Sequence, residues 1–373
     1  MGITGTAKVD YRTKDLVKRL SPGDIAIICH QNLDQVAADD LVAKKVAAVI
    51  NAQQSITGTY PNLGPQTLLK ANITLVDNVG EDIMDLQENS TITIADDGCI
   101  YRNEIPVAQG TILTEEALAK KMQAAQENIG QALDKFIDNT LKYAKREKSF
   151  ITGQVDIPKT DTQFKDKQVL VVARGNNFRE DFAAIRLYVD EVKPVLVGVD
   201  GGADVLLDFG YVPDVIIGDM DSVSDKALKL CREIVVHAYP DGRAPGLSRV
   251  KQLGLPAKIF TSPGTSEDIA FLLAYEKGAD LIVAVGSHSS MIDFLEKGRG
   301  GMASTFLVRL KVGSILVDAK GASKLYTHKL NPNYILGLLI AALVPMIAIV
   351  TSSPPMQHIL KLLELKLKII FGY

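Results

Sequence analysis

Asp219 and Asp221 stand two residues apart in Gly218-Asp219-Met220-Asp221-Ser222, directly after the apolar run Val215 to Ile217. Asp200-Gly201-Gly202 follows the apolar run Val195 to Val199 in the same way. Acids and glycines that follow the strands of a parallel α/β sheet occupy the edge where such sheets place their ligands. Glycine lets a backbone approach a ligand closely. Two carboxylates at this spacing can point toward one hard cation such as Mg2+, which typically joins few protein carboxylates to substrate phosphates. The pattern therefore suggests a metal that holds phosphates, with Asp219 and Asp221 as the catalytic pair. The alternative is structural: Asp221 or Ser222 could N-cap a helix over Ser224 to Cys231.

The elements that would position these residues read as a doubly wound sheet over 168–330. Gln168 to Ala173 is a continuous apolar strand ending in Arg174-Gly175-Asn176-Asn177, followed by helical periodicity in REDFAAIRLYV. Further strands are expected at Val195 to Val199, Val215 to Ile217, Ile234 to His237, Ala257 to Phe260 and Leu281 to Val285, with helical segments between them. Upstream, residues 1–112 alternate short β-rich runs (Asp24 to Cys29, Ala47 to Asn51, Ile73 to Val76, Thr91 to Ile94) with turns and one or two helical segments, a small α/β domain. Over 113–150 a long helix is expected, with Thr114 as its N-cap and Glu115 and Glu116 in its positively polarised first turn. Leu118, Met122, Ala125, Ile129, Ala132 and Phe136 alternate four and three apart, the spacing of a coiled-coil seam, which suggests a homodimer; packing of the helix on its own domain is the alternative. Residues 151–167, polar with Gly153 and Pro158, read as a linker.

Composition bounds the partners. A chain of 373 residues should hold two or three domains, and a formal net charge of -3 without a Lys/Arg cluster excludes a nucleic-acid-binding face. Cys29, Cys99 and Cys231 lie far apart with neither CxxC nor metal-finger spacing, as expected of buried thiols in a reducing cytoplasm. Met1 to Arg19 is polar and lacks the apolar core of a signal peptide. Tyr334 to Val350 carries no charge, so 331–353 is expected to form one transmembrane helix, with a buried helix kinked at Pro345 as the alternative. Residues 354–373 mix Leu and Ile with Lys361, Glu364, Lys366 and Lys368, a pattern suited to an interfacial amphipathic tail. The expected placement is a single-pass protein of the cell membrane with its large N-terminal region cytoplasmic.

Three resemblances extend this reading. The passage from Ala48 to Tyr101 resembles the swivelling phosphohistidine domain of phosphoenolpyruvate-utilising enzymes, but Thr57 to Gln66, where that family carries its histidine, has none, and His30 lies too early; it reads as a packing or docking module. Residues 168 to about 290 resemble the nucleotide-binding half of thiamin pyrophosphokinase, through the DGG turn at Asp200 and the PD-I-IGD-x-DS signature from Pro213 to Ser222. That resemblance implies a diphosphate and Mg2+ site at Asp200, Asp219, Asp221 and Asp268, with Asp200, Asp219 and Asp221 on the metal. Arg174, Gly175, Gly201, Gly202, Gly218, Ser222, Thr265 and Ser266 complete the expected nucleotide- or diphosphate-binding set, and ATP or another nucleotide is the expected cofactor. The family's thiamine-contacting Arg-x-Asp-His element is replaced after Gly286 by SHSSMIDFLEKGRGGMAST, where Asp293 stands without the Arg and His, so thiamine loses its expected pocket.

The blocks HAYPDGRAPG (237–246), GTSEDIA (264–270), EKGRGGMASTFLVRLKVG (296–313) and LVDAKGASKLY (316–326), followed by the apolar segment, resemble the SteA-like family. Its members are bacterial membrane-anchored proteins linked to cytokinesis and the cell envelope. A cell-division membrane protein is the partner this implies. Within these blocks Arg243 could close over a diphosphate or only stabilise its loop, and Arg299, in Gly298-Arg299-Gly300-Gly301, could assist an anion or remain a solvated side chain. His237 and His288 have no Cys or His at ligand spacing and read as core or loop residues. The expected function is that of a membrane-anchored regulator or scaffold with a nucleotide-binding, kinase-like domain; the alternative is an active Mg2+-dependent thiamine diphosphokinase or related diphosphotransferase using ATP.

Overall fold

The computed structural model describes residues 2–152, 156–288, 291–297, 302–322 and 332–371. It is a mixed α/β chain with two sheets, and residues 1–323 and 324–373 form separate compact units.

In the first domain β1 (Ile3–Asp10), α1 (Thr13–Arg19), β2 (Ile25–Ile28), α2 (Gln35–Ala43), β3 (Ala48–Asn51), α3 (Gly64–Lys70) and β4 (Thr74–Asp77) build a parallel core. β5 (Thr91–Ile94), β6 (Cys99–Arg102) and β7 (Ile105–Gln109) extend it antiparallel beyond β1, and β8 (Thr111–Ile112) pairs antiparallel with β4, giving the order β7-β6-β5-β1-β2-β3-β4-β8. Alternation explains why the parallel strands are apolar throughout. Ile25 and Ile27 enter one core with Ile50 and Val76, while Ala26 and Ile28 enter another with Leu16, Leu41 and Leu68, so both faces are covered. The sequence reading missed β1, because Thr4, Thr6 and Lys8 give ITGTAKVD a polar cast; the strand is nevertheless central, paired on both sides, with only Ala7 fully buried.

The second domain is a seven-stranded, all-parallel sheet in the order β13-β12-β11-β10-β9-β14-β15. Its elements run β9 (Gln168–Val172), α5 (Phe178–Ala184), α6 (Arg186–Val192), β10 (Val195–Val199), α7 (Gly202–Asp208), β11 (Val215–Gly218), α8 (Asp225–Leu230), β12 (Glu233–Ala238), α9 (Leu247–Gln252), β13 (Lys258–Thr261), α10 (Ser266–Glu276), β14 (Leu281–Val285), α11 (Met291–Lys297), α12 (Met302–Val312) and β15 (Leu316–Asp318). Val169 and Val171 of β9 join Phe164, Phe260 and Phe271 on one face, and Leu170 and Val172 join Phe182 and Leu206 on the other. Each fully buried Phe or Leu of this kind contributes about 1.5–3 kcal/mol of transfer free energy. The chain leaves β9 toward β10 on one side and returns through β14 on the other. The switch point therefore lies between β9 and β14, where such sheets open a crevice at their carboxyl ends.

Between the two sheets runs α4 (Glu115–Thr152), 38 residues long and roughly 57 Å at 1.5 Å per residue. Thr114 Oγ1 accepts from Ala117 N at 3.2 Å, as an N-cap should. Part of the face that carries the seam spacing packs inside the chain. Leu118 and Ala125 are buried, Lys121 Nζ reaches Ile56 O and Asp77 of the first domain, and Phe136 stacks on Phe294 of the second at 5.9 Å. A helix this long needs two domains to cover its apolar stripe, and here both belong to the same chain.

The last unit holds α13 (Pro332–Ser352) and α14 (Pro354–Phe371). Among the described residues no single helix is long and apolar enough to cross a membrane. Gly337–Ile349 and Pro354–Ile370 meet that requirement only together, as a pair bent by 97°. The single transmembrane helix expected over 331–353 is corrected to the first member of this bent pair, which meets the requirement only together with α14. Pro354 lacks the N–H that would continue α13, disfavours helical backbone at Ser353, and is itself well placed to start α14.

Candidate functional site

Asp200 ends β10 and Asp219 follows β11, two neighbouring parallel strands, so the register of the sheet alone brings their carboxyls to one edge. Asp200 Oδ1 accepts from Met220 N at 3.0 Å, and burial, then the neighbouring Asp219, pushes its carboxyl up to about 7. Asp200 and Met220 both hold positive φ, 46° and 61°, which for residues other than glycine costs on the order of 1 kcal/mol or more each. Three glycines clear the space. A Cβ on Gly218, whose φ is 153°, would fall 1.9 Å from Asp200 Oδ1; one on Gly202 would fall 1.9 Å from Val172 O; one on Gly175 would fall 2.2 Å from Gly286 O. The acidic edge is fixed by backbone-to-backbone approach at Gly202 and Gly175 and by the seating of the Asp200 carboxyl against Gly218.

A cavity of about 680 Å³ opens over this edge, and its opposite wall comes from the first domain. From the second domain it is lined by residues that follow β9, β10, β11, β12, β13 and β14, among them Arg174, Asp200, Gly201, Asp219, Ser222, Thr265 and Ser266. From the first it is lined by Arg12 and Lys14 after β1, by Cys29 and His30 after β2, and by Asp34 and Asp40 of the following turn and α2. Both sheets thus turn the carboxyl ends of their parallel strands to one space. Arg174 Nη2 pairs with Asp40 Oδ1 at 2.5 Å across it.

Seven of the residues expected from the sequence line the cavity: Arg174, Asp200, Gly201, Asp219, Ser222, Thr265 and Ser266. Gly175, Gly202 and Gly218 lie behind them as the close-contact glycines described above. Asp221 does not line it. Its Oδ2 accepts from Arg12 Nη1 at 3.4 Å and Lys14 Nζ at 3.1 Å, so it faces the first domain instead of joining Asp219 toward one cation. Asp268 is fully buried at the start of α10, where its Oδ2 accepts from Thr265 N, Ser304 Oγ and Thr305 Oγ1, closing a capping box with Thr265. Arg243 pairs with Asp241 at 2.6 Å and lies over the Tyr239 ring, the loop-stabilising alternative. Arg299 lies outside the described residues. Among the described residues no group of three His, Cys, Asp or Glu converges as a metal centre.

Several cavity residues were not among the binding residues expected from the sequence. His30 sits between Thr13 Oγ1 at 3.1 Å and Asp34 Oδ2 at 3.4 Å, with burial lowering its pKa against the opposing pull of Asp34. Glu267, almost fully buried, meets His288 Nδ1 at 3.1 Å and Arg309 at 3.5 Å. Asp293 is held by Asn176 Nδ2 at 3.1 Å and Lys320 Nζ at 2.6 Å, so the one acid left from the expected thiamine-contacting element is tied to β9's loop and to the residues after β15. The available signal was positional: Arg12 and His30 follow strands just as Asp200 and Asp219 do, but nothing in one sequence pairs strand ends more than 150 residues apart.

The family model described as SteA-like C-terminal domain matches residues 320–371, and the one described as Thiamin pyrophosphokinase, catalytic domain, matches residues 187–242. Among solved structures the thiamine pyrophosphokinase from Bacillus subtilis is similar over 41% of this chain and 59% of its own, at 22% identity and a TM-score of 0.25. No curated protein matches.

Proposed function

We propose that this chain is a membrane-associated regulator or scaffold of cell division and envelope assembly whose second domain binds a nucleotide or another diphosphate ester. The observation that carries the ligand half is the cavity of about 680 Å³ at the strand ends, with Asp200 and Asp219 in its wall. Mg2+ fits this pair: it usually takes one or two protein carboxylates and completes its shell with phosphate oxygens and water. Asp200 and Asp219 would hold the ion, and when bound it would neutralise phosphate charge and relieve the repulsion between the two acids. The Thr265 and Ser266 hydroxyls in the cavity lining supply polar contacts of the kind phosphates take.

Binding is preferred to phosphoryl transfer because the expected catalytic pair is split, Asp219 facing the cavity while Asp221 is engaged by Arg12 and Lys14. The membrane half is supported by the apolar, solvent-facing α13 and the amphipathic α14, in which Lys361, Glu364, Lys366 and Lys368 interrupt the Leu and Ile residues. The division role is supported by the match of 320–371 to the SteA-like C-terminal domain and by the SteA-like blocks at 237–326.

Calorimetric titration of the full chain in detergent with Mg·ADP tests the ligand half. Binding to the wild type should weaken about tenfold or more in Asp200→Asn plus Asp219→Asn, which removes charge-assisted contacts. Absence of binding to the wild type would remove it. Thiamine diphosphate formed from ATP and thiamine, and lost in the double variant, would replace the regulator by a transferase. A tagged copy spread evenly through dividing cells would argue against the division role.

A further inference from the structure

The first domain's wall carries two cations that pair with a single carboxylate oxygen of the second domain. Arg12 Nη1 and Lys14 Nζ share the single Asp221 Oδ2, and Lys18 Nζ donates to the Asp221 carbonyl at 3.3 Å. Lys18 has its own partner in Asp15 at 2.9 Å, and Asp10 pairs with Arg19 at 2.8 Å. Arg12 and Lys14 therefore share one carboxylate oxygen as their ion-pair partner. Both line the cavity, and their side chains remain 65% and 43% exposed. Ion pairs this exposed are worth at most about 1 kcal/mol, so a more highly charged anion can displace Asp221 at little cost. Phosphate oxygens would take the same donors in charge-assisted bonds, bidentate in the case of Arg12.

We infer that Arg12 and Lys14 form the polyphosphate-recognition arm of the cavity, and that Asp221 is the counter-ion they release when a diphosphate- or triphosphate-bearing ligand bridges to them from Asp200 and Asp219. The inference rests on the ligand reading proposed above and adds to it the domain that recognises the far phosphate. A diphosphate is then the smallest ligand that engages both walls. A monophosphate held at the acidic edge has no second phosphate to offer the first domain. Ligand binding becomes a link between the two domains.

The test is calorimetric titration of the full chain with magnesium pyrophosphate, with inorganic phosphate as the short control, at two salt concentrations. Arg12→Gln plus Lys14→Gln keeps polar side chains on an exposed surface. It should weaken pyrophosphate binding about tenfold, flatten its salt dependence and leave phosphate binding unchanged. Asp221→Asn frees the two cations and should tighten pyrophosphate binding measured without magnesium. Pyrophosphate bound equally well by wild type and the double variant would overturn the arm while leaving the ligand reading intact. A wild type that binds neither pyrophosphate nor Mg·ADP would overturn both. Weaker binding in Asp221→Asn would show a direct ligand contact and overturn the counter-ion role.

Discussion

The two walls of the cavity are built from the same element, the carboxyl end of a parallel sheet, yet they hold their charges in opposite ways. On the second domain the acids are fixed by backbone: Gly175, Gly202 and Gly218 admit approaches that no Cβ would allow, and Asp200 is locked by Met220 N in a left-handed turn. On the first domain the charges sit at the ends of long, half-exposed side chains, Arg12 and Lys14, that hold an exchangeable partner. Rigid acids suit a metal whose geometry is demanding, whereas movable cations suit phosphates that arrive with the ligand. The region matched at 187–242 therefore does not by itself define this site. One of its two walls belongs to a domain outside that region.

The largest expected effect separates the two walls by rigidity. Gly202→Ala would place Cβ 1.9 Å from Val172 O and should cost roughly 3 kcal/mol or more in denaturant unfolding of the full chain. Gly210→Ala, at φ 89° with open space around it, should cost only about 1–2 kcal/mol. Equal losses would break the claim that the acidic edge is held by close backbone contact. Next comes the tie across the cavity. A double-mutant cycle on Arg174 and Asp40 should return about 1 kcal/mol of coupling, as expected of a half-buried pair, and zero coupling would mean the walls are not tied there.

The smallest effect is on pH. Burial lowers the pKa of His30, so the folded chain favours the neutral ring. That preference contributes stability above the unfolded histidine value of about 6.5, which is lost as pH falls through the lower folded value. Buried His237 shifts the same way. Asp40, whose carboxyl burial pushes up, shifts the other way, so comparing wild type with His30→Gln isolates the ring. Unfolding midpoints measured above and below that value should fall less on acidification in His30→Gln, and parallel curves would show that His30 does not feel the cavity.

Much of the second domain was legible from apolar runs ending in Gly and Asp, because a parallel strand covered on both faces is apolar throughout and its end is marked by the residues that turn. The expected strand runs at Gln168, Val195, Val215, Ile234, Ala257 and Leu281 correspond to β9 through β14. Short β15 was missed. In the first domain β1 was hidden by its threonines and lysine. The helix at 113–150 was legible as a helix but its stripe was ambiguous, since the spacing that seats a second copy also seats two domains of one chain. The break between α13 and α14 is marked by Pro354 and Pro355, which an uncharged run of this length obscures. The cavity's basic wall depends on tertiary juxtaposition of residues near positions 12 and 220, which no local pattern encodes.

Hydrogen exchange of the full chain with and without Mg·ADP tests the shared cavity most directly. The expected result is protection at two distant stretches at once, residues 11–30 of the first domain and residues 200–222 of the second. Protection confined to 200–222, with residues 11–30 unchanged, would contradict a site built from both domains.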